Sequence, residues 1–166
     1  MHENHRREQY FWDGPTLAAL AEALEPYSRP VLLCAPMLGQ YLHEQGRTVV
    51  VLDTDRRFTE LPGFRYWDIH RPEWLGFKPD LILCDPPFYS VKLDRLYRAL
   101  MNLTGHDPCV PLTLSWLARR RHALLGTFAR FDLQEVPFRP SYVTVPEEVG
   151  ITTFSSPGGL FLDDIK

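Results

Sequence analysis

Four consecutive residues, Asp85-Pro86-Pro87-Phe88, set a carboxylate, two prolines and an aromatic ring directly behind the apolar run Leu81-Ile82-Leu83-Cys84. Each proline fixes φ and lacks an N–H, so neither strand nor helix continues through the pair. Pro87 also pushes Pro86 towards an extended shape. The product is a stiff loop with free carbonyls and a carboxylate at its root. A carboxylate and the neighbouring Pro86 carbonyl can accept the two N–H protons of an amine and aim its lone pair at an electrophile. Phe88, or Tyr89 beside it, can stack on a flat base or wall a cation. Further acids close two other apolar runs: Asp53 ends "RTVVVLD" and Asp68 ends "GFRYWD". An acid behind the second strand of a nucleotide-binding sheet can accept from both ribose hydroxyls. Asp53 is the first candidate and Asp55 the second, the alternative for Asp55 being a pair with Arg56 or Arg57 or the cap of a turn. Asp68 can accept from an adenine amino group, or it is a turn residue before "HRPE".

The elements that must hold these acids can be read from periodicity. Residues 81–84 form a run buried on both faces, as in a parallel sheet. Similar runs predict strands at about 30–35, 48–53, 64–68, 80–85 and 109–116, the last weakened by Pro111. Helices are expected from "TLAALAEALE" (capped by Asp13 or Thr16), through "GQYLHEQ" (closed by Gly46), over 90–104, and over 117–128. Two last strands, about 130–136 and 150–155, suit an antiparallel hairpin at a sheet edge. Alternating strands and helices imply right-handed crossovers and a doubly wound α/β sheet, with ligands beyond the carboxyl ends of the strands. Asp53, Asp68 and Asp85 all fall there. No repeat, low-complexity tract or linker interrupts the chain, so residues 1–166 read as one domain.

Composition excludes several classes. The 166 residues are 45% hydrophobic and 23% charged, ordinary values for a globular protein with a proper core. No apolar run approaches the roughly 20 residues of a membrane span, and the polar "MHENHRREQ" lacks the apolar centre of a signal peptide. Cys34, Cys84 and Cys109 are odd in number, far apart and set in apolar runs, which predicts reduced core residues in a cytoplasmic protein. His43, His70, His106 and His122 show no ligand spacing, so no metal is expected. The net charge of −3 gives no general attraction to nucleic acid, although "RRRH" (119–122) makes a local basic patch.

D-P-P-[FY] behind a fourth strand resembles the motif of amino-methyltransferases among the class I S-adenosylmethionine-dependent enzymes. The chain is more closely similar to the family of probable N6-adenine methyltransferases, which includes elongation factor 1A lysine methyltransferases and a zinc-finger-bearing ribosomal RNA adenine methyltransferase. The likeness runs over about residues 9–138. "QYFWDGPTLAALAEAL" resembles the family's aromatic segment and first helix, "LLCAPMLGQYL" its first strand and cofactor loop, and "VVVLDTDRRF" its second strand. "YWDIHRPEWL" and "LILCDPPF" complete the series. DPPF alone is widespread; the order of all five segments is far more specific.

The resemblance implies a Rossmann-like seven-stranded, mostly parallel sheet in the order 3-2-1-4-5-7-6, with the last strand antiparallel. It implies S-adenosyl-L-methionine as cofactor, touching Ala35, Pro36, Asp53, Asp55, Asp68 and Asp85. It assigns catalysis to Asp85, Pro86, Pro87 and Phe88, and acceptor contact to Phe11, Trp12, Phe88 and Tyr89. Tyr10, Phe11 and Trp12 either cover the cofactor and line the acceptor channel or pin the first helix to the sheet. The loop "CAPMLGQ" departs from most class I enzymes in having only Gly39, in keeping with this family's glycine-poor loop. The expected partner is a macromolecular methyl acceptor, protein or RNA/DNA. The slightly acidic balance and the lack of an appended nucleic-acid module tilt the expectation towards protein lysine, with adenine N6 the runner-up. A non-catalytic binding module is the competing class, favoured by the glycine-poor loop and opposed by the intact DPPF.

Overall fold

The computed structural model describes residues 1–165. Seven strands, β1 (Pro30–Leu33), β2 (Val50–Asp53), β3 (Phe64–Tyr66), β4 (Leu81–Cys84), β5 (Leu112–Leu117), β6 (Gln134–Val136) and β7 (Ile151–Ser155), form one sheet. Their order is β3-β2-β1-β4-β5-β7-β6, as expected. β1 pairs in parallel with β2 and β4, β2 with β3, and β4 with β5, whereas β7 runs antiparallel to both β5 and β6. β1, β4 and β5 are buried along their whole length, which explains why they lack polar alternation. The chain winds outward from β1 to β3 and then returns to place β4 on the other side of β1. That reversal opens a crevice beyond the carboxyl ends of β1 and β4.

Four α-helices cover the sheet: α1 (Gly14–Ala23), α2 (Pro36–Glu44), α3 (Leu93–Leu103) and α4 (Arg121–Thr127). Of the two candidate caps, Asp13 does the work: its carboxylate accepts from the Thr16 N–H at 2.9 Å, with Pro15 in the first turn. α3 buries Leu96, Ala99, Leu100 and Leu103 along one stripe, each leucine contributing about 1.5–3 kcal/mol. Gly39 lies inside α2, where a Cβ would come within 2.3 Å of Val51 on β2. Its role is therefore close helix–sheet packing and not backbone approach to a ligand.

Three expectations need correction. β5 starts at Leu112 and not at Cys109; Pro111 has no N–H for the ladder, although its carbonyl still accepts from Ile82. Cys109 is consequently exposed, while Cys84 is buried and Cys34 partly so. The helix expected over 117–128 breaks into a 3-10 turn at Ala118–Arg120 and the short α4. The strand expected at 130–136 shrinks to Gln134–Val136, because a second 3-10 turn ends with Asp132 in the left-handed region.

Candidate functional site

Asp85 leaves the sheet at the crevice itself. Its N–H still donates to the Leu33 carbonyl at 3.0 Å, so the backbone root is fixed by β1. Its Oδ1 accepts from the Tyr142 hydroxyl at 2.6 Å, and the Ser115 hydroxyl on β5 also favours the anion. Among the described residues no Arg, Lys or His pairs with it. Burial pushes the carboxyl up to about 7, and the two hydroxyls offset only part of that rise.

Tyr142 reaches this position through a short antiparallel contact. Asp13 N–H donates to the Ser141 carbonyl and Val143 N–H to the Phe11 carbonyl, both at 2.9 Å, with Trp12 opposite Tyr142. The Ser141 N–H donates to Thr16 Oγ1 at 3.0 Å and ties the same loop to α1. The aromatic segment is both packed and cavity-facing. Phe11 and Trp12 are buried, Phe11 packing edge-on to Phe58, yet both line the cavity that contains Asp85.

That inner cavity is also lined by Cys34, Ala35, Pro36, Asp53, Asp55, Pro86, Pro87, Phe88 and Tyr142. It opens into a groove of about 760 Å³ bounded by Thr54, Trp67, Asp68 and Ile69. Cys34 adopts φ 60°, a left-handed turn that costs a non-glycine residue about 1–2 kcal/mol. The glycine-poor loop thus makes its sharp exit from β1 without a glycine. Phe88 is buried with its ring edge-to-face on Trp116 at 5.8 Å. Tyr89, expected beside it, does not line the cavity; its ring is 56% exposed with the Arg119 guanidinium 5.9 Å away.

The acids behind β2 divide sharply. Asp53 is buried, accepts from the Asp55 N–H at 2.8 Å and has no side-chain donor among the described residues; burial raises it to about 6. Asp55 is also buried, which alone would raise it, but donors outweigh that. Arg57 reaches it through Nη2 at 2.7 Å and Nε at 3.0 Å, Gln9 at 2.8 Å, and the carboxyl is held down to about 2. The same carboxylate caps the 3-10 turn Arg56–Phe58. Asp55 thus makes both the pair with Arg57 and the cap, and it also lines the cavity. Asp68 accepts from the His70 N–H at 2.9 Å as a turn residue, and it still borders the groove.

Sequence reasoning missed three residues. Tyr142 sits in a segment without a motif, and nothing in "RPSYVT" marks a tyrosine that folds back 57 residues onto Asp85. Glu8 accepts from the Tyr89 and Ser90 N–H groups at 3.0 Å, and Gln9 bonds Asp55. The N-terminal segment thus bridges the loops behind β2 and β4 across the crevice. Among the described residues no three His, Cys, Asp or Glu converge as a metal cluster, and no helix is long and apolar enough to cross a membrane.

Solved structures carry the same architecture. A TehB-like S-adenosylmethionine-dependent methyltransferase from Corynebacterium glutamicum is 17% identical, with a TM-score of 0.56 over 87% of this chain and 89% of that one. CalS10, an amino pentose methyltransferase from Micromonospora echinaspora, is 14% identical, with a TM-score of 0.59 over 94% and 100%. RsmC, the 16S rRNA N2 G1207 methyltransferase of T. thermophilus, is 14% identical, with a TM-score of 0.55 over 86% of this chain and 38% of its own. At these identities the likeness establishes the fold, the Rossmann-like class I methyltransferase sheet. None of the curated proteins matches the chain significantly. The family model described as probable N6-adenine methyltransferase matches residues 3–149, and the chain belongs to that family.

Proposed function

We propose that the protein, one domain over residues 1–166, is an S-adenosylmethionine-dependent N-methyltransferase acting on an amino nitrogen of a macromolecule. One observation carries this reading: Asp85, half-buried and without a cationic partner among the described residues, shares a cavity with Pro86 and Asp53. The residues present suit the cofactor. Asp53 offers a carboxylate with no side-chain donor to a ribose diol, Ala35 and Pro36 line the cavity behind β1, and Thr54, Asp68 and Ile69 border a groove for a flat base. When bound, the cofactor supplies an electrophilic methyl group on a sulfonium.

The chain's own residues then have defined tasks. Tyr142 occupies Asp85 Oδ1 and fixes its rotamer, leaving Oδ2 and the Pro86 carbonyl for the two N–H protons of the acceptor. Trp12, Phe88 and Tyr142 exclude water around that amine. A carboxylate near pKa 7 can also take the proton that the amine sheds at neutral pH. An adenine amino group and a lysine amine are both served by this pair of acceptors. A non-catalytic module would have no use for an uncompensated acid lining a cavity, which speaks against that class. Unpaired Cys34, Cys84 and Cys109 suit a cytoplasmic location.

The test is calorimetry with S-adenosylmethionine, joined to mass spectrometry of protein and nucleic acid from cells with and without the gene. The expected result is cofactor binding and one N-methylated residue lost with the gene. Absence of both would overturn the proposal.

A further inference from the structure

The basic patch noted in the sequence lies next to the residue that follows the DPPF motif. Tyr89 presents its ring to solvent, and Arg119 is stationed 5.9 Å from the ring centroid. Arg120 donates to the Phe88 carbonyl at 3.3 Å and lies over Trp116, which anchors the arginine turn to the motif. On the other flank of Tyr89, Ser90, Lys92, Arg95 and His70 line one shallow depression. Ser90 and His70 also border the groove that Arg6, Arg7 and Arg56 line, so cations recur along it, interspersed with Glu8, Asp55 and Asp68.

This charge is not neutralised in place. None of the ion pairs among the described residues uses Lys92, Arg95, Arg119 or Arg120. The nearby acids are fewer than the cations: Glu8, bonded to the Tyr89 and Ser90 N–H groups, Asp68, bonded to the His70 N–H, and the exposed Asp94 beside Lys92. The net charge of −3 does not cancel such a patch, because screening confines each charge to about 8–10 Å. The local field, and not the sum, decides what approaches.

We propose that Tyr89, Lys92, Arg95 and Arg119 form a docking surface for single-stranded nucleic acid, whose phosphates meet the cations and one of whose bases stacks on Tyr89. An exposed aromatic flanked by cations is how unpaired strands are held without sequence readout. A lysine-bearing protein segment would bring its own cation into the same field. Resting on the methyl-transfer reading above, the surface makes the acceptor a base amino group, delivered next to Asp85 by a strand anchored one base away on Tyr89.

The test is fluorescence anisotropy of the full chain with a 5′-fluorescein single-stranded RNA of about 12 nucleotides, the scale of one single-strand site. Parallel arms use DNA of the same sequence and a labelled lysine-rich peptide, with salt varied between about 50 and 200 mM. Binding of RNA, DNA or both is expected, and the stronger arm names the strand. Lys92→Ala/Arg95→Ala/Arg119→Ala should lose at least about tenfold in affinity and flatten the log–log salt slope by about two, each phosphate contact contributing about 0.7. Tyr89→Ala should lose about tenfold with the slope unchanged. Arg130→Ala, before β6 at the opposite end of the sheet, should change neither. Calorimetry with S-adenosylmethionine on the same preparations keeps the two proposals apart: retained RNA binding without cofactor binding sinks the methyl-transfer reading alone. The docking surface is overturned if wild type binds neither strand, if the triple variant binds like wild type, or if the peptide binds more tightly than either strand.

Discussion

Asp55 and Asp85 both lie within two residues of the carboxyl end of a parallel strand, and their surroundings drive them in opposite directions. Asp55 meets Arg57 and Gln9 and is held down to about 2, an anion at every working pH. Asp85 meets only the hydroxyls of Tyr142 and Ser115 and is pushed up to about 7. The first acid is consumed by structure: it caps a turn and ties the N-terminal segment to the β2 loop. The second keeps hydrogen-bonding capacity in reserve. An acid left uncompensated in a cavity costs stability, and such groups concentrate where chemistry is done. The contrast therefore separates the acid that builds the crevice from the acid proposed to work in it.

The largest effect should come from removing the working acid. Asp85→Asn keeps the size but replaces an acceptor oxygen with a donor, so methyl transfer should fall a hundredfold or more, about 2.7 kcal/mol or more in the barrier. Cofactor affinity, measured by calorimetry, should stay within twofold, roughly, since the carboxylate serves the acceptor. Loss of both would merge the two functions that the comparison keeps apart. Next in size is Asp53→Ala, which removes the ribose acceptor and should weaken cofactor binding at least about tenfold, charge-assisted bonds contributing about 1.5–3 kcal/mol each. An unchanged titration would return the ribose contact to Asp55.

Tyr142→Phe should act more gently and in a diagnostic way. The hydroxyl favours the anion of Asp85, so its loss raises the carboxyl further above 7. Transfer requires the anion, so the rising limb of the pH–rate profile should move to higher pH, with kcat reduced severalfold at neutral pH and recovered in part under alkaline conditions. A uniform loss at all pH values would make Tyr142 a packing residue only.

The smallest effects concern stability, and their signs oppose each other. Asp85 has a folded value above its unfolded one, so the folded state gains most below about 4 and loses that gain as pH rises through about 7. Asp85→Asn should therefore raise Tm at pH 8 relative to wild type and have less effect at pH 5. Asp55 is the reverse: its contribution is present above about 4 and fades as pH falls through about 2. Asp55→Asn should lower Tm at pH 7, and each kcal/mol shifts Tm by about 2–4 °C in a chain of this size. Equal signs for the two variants at pH 8 would erase the distinction between them.

Periodicity and strand-end acids made most of this legible before any coordinates. The buried runs at 30–35, 48–53 and 80–85 contain β1, β2 and β4, and the DPPF motif does stand at the crevice. Local signals failed where tertiary contacts decide. Pro111 delays β5, and Asp132 in a left-handed turn truncates β6, which no apolar pattern announces. That Arg57 pairs with Asp55 and not with Asp53 was not visible in the sequence. Tyr142 was out of reach altogether, because it meets Asp85 through the bridge between residues 12 and 142, a pairing without local trace. Glu8 and Gln9 were hidden for the same reason: a polar N-terminus says nothing of the loops it will span.

The comparison can be settled in a single experiment. In ¹³C-labelled protein, the side-chain carboxyl resonances of Asp55 and Asp85 can be followed by NMR from acid to alkaline pH, with Asp55→Asn and Asp85→Asn supplying the assignments. The account predicts that Asp85 titrates near 7 and that Asp55 is already ionised down to about 2. An Asp85 carboxyl that titrates near 4, like an ordinary exposed aspartate, would contradict it, because the acid would then be neither enclosed nor held in reserve.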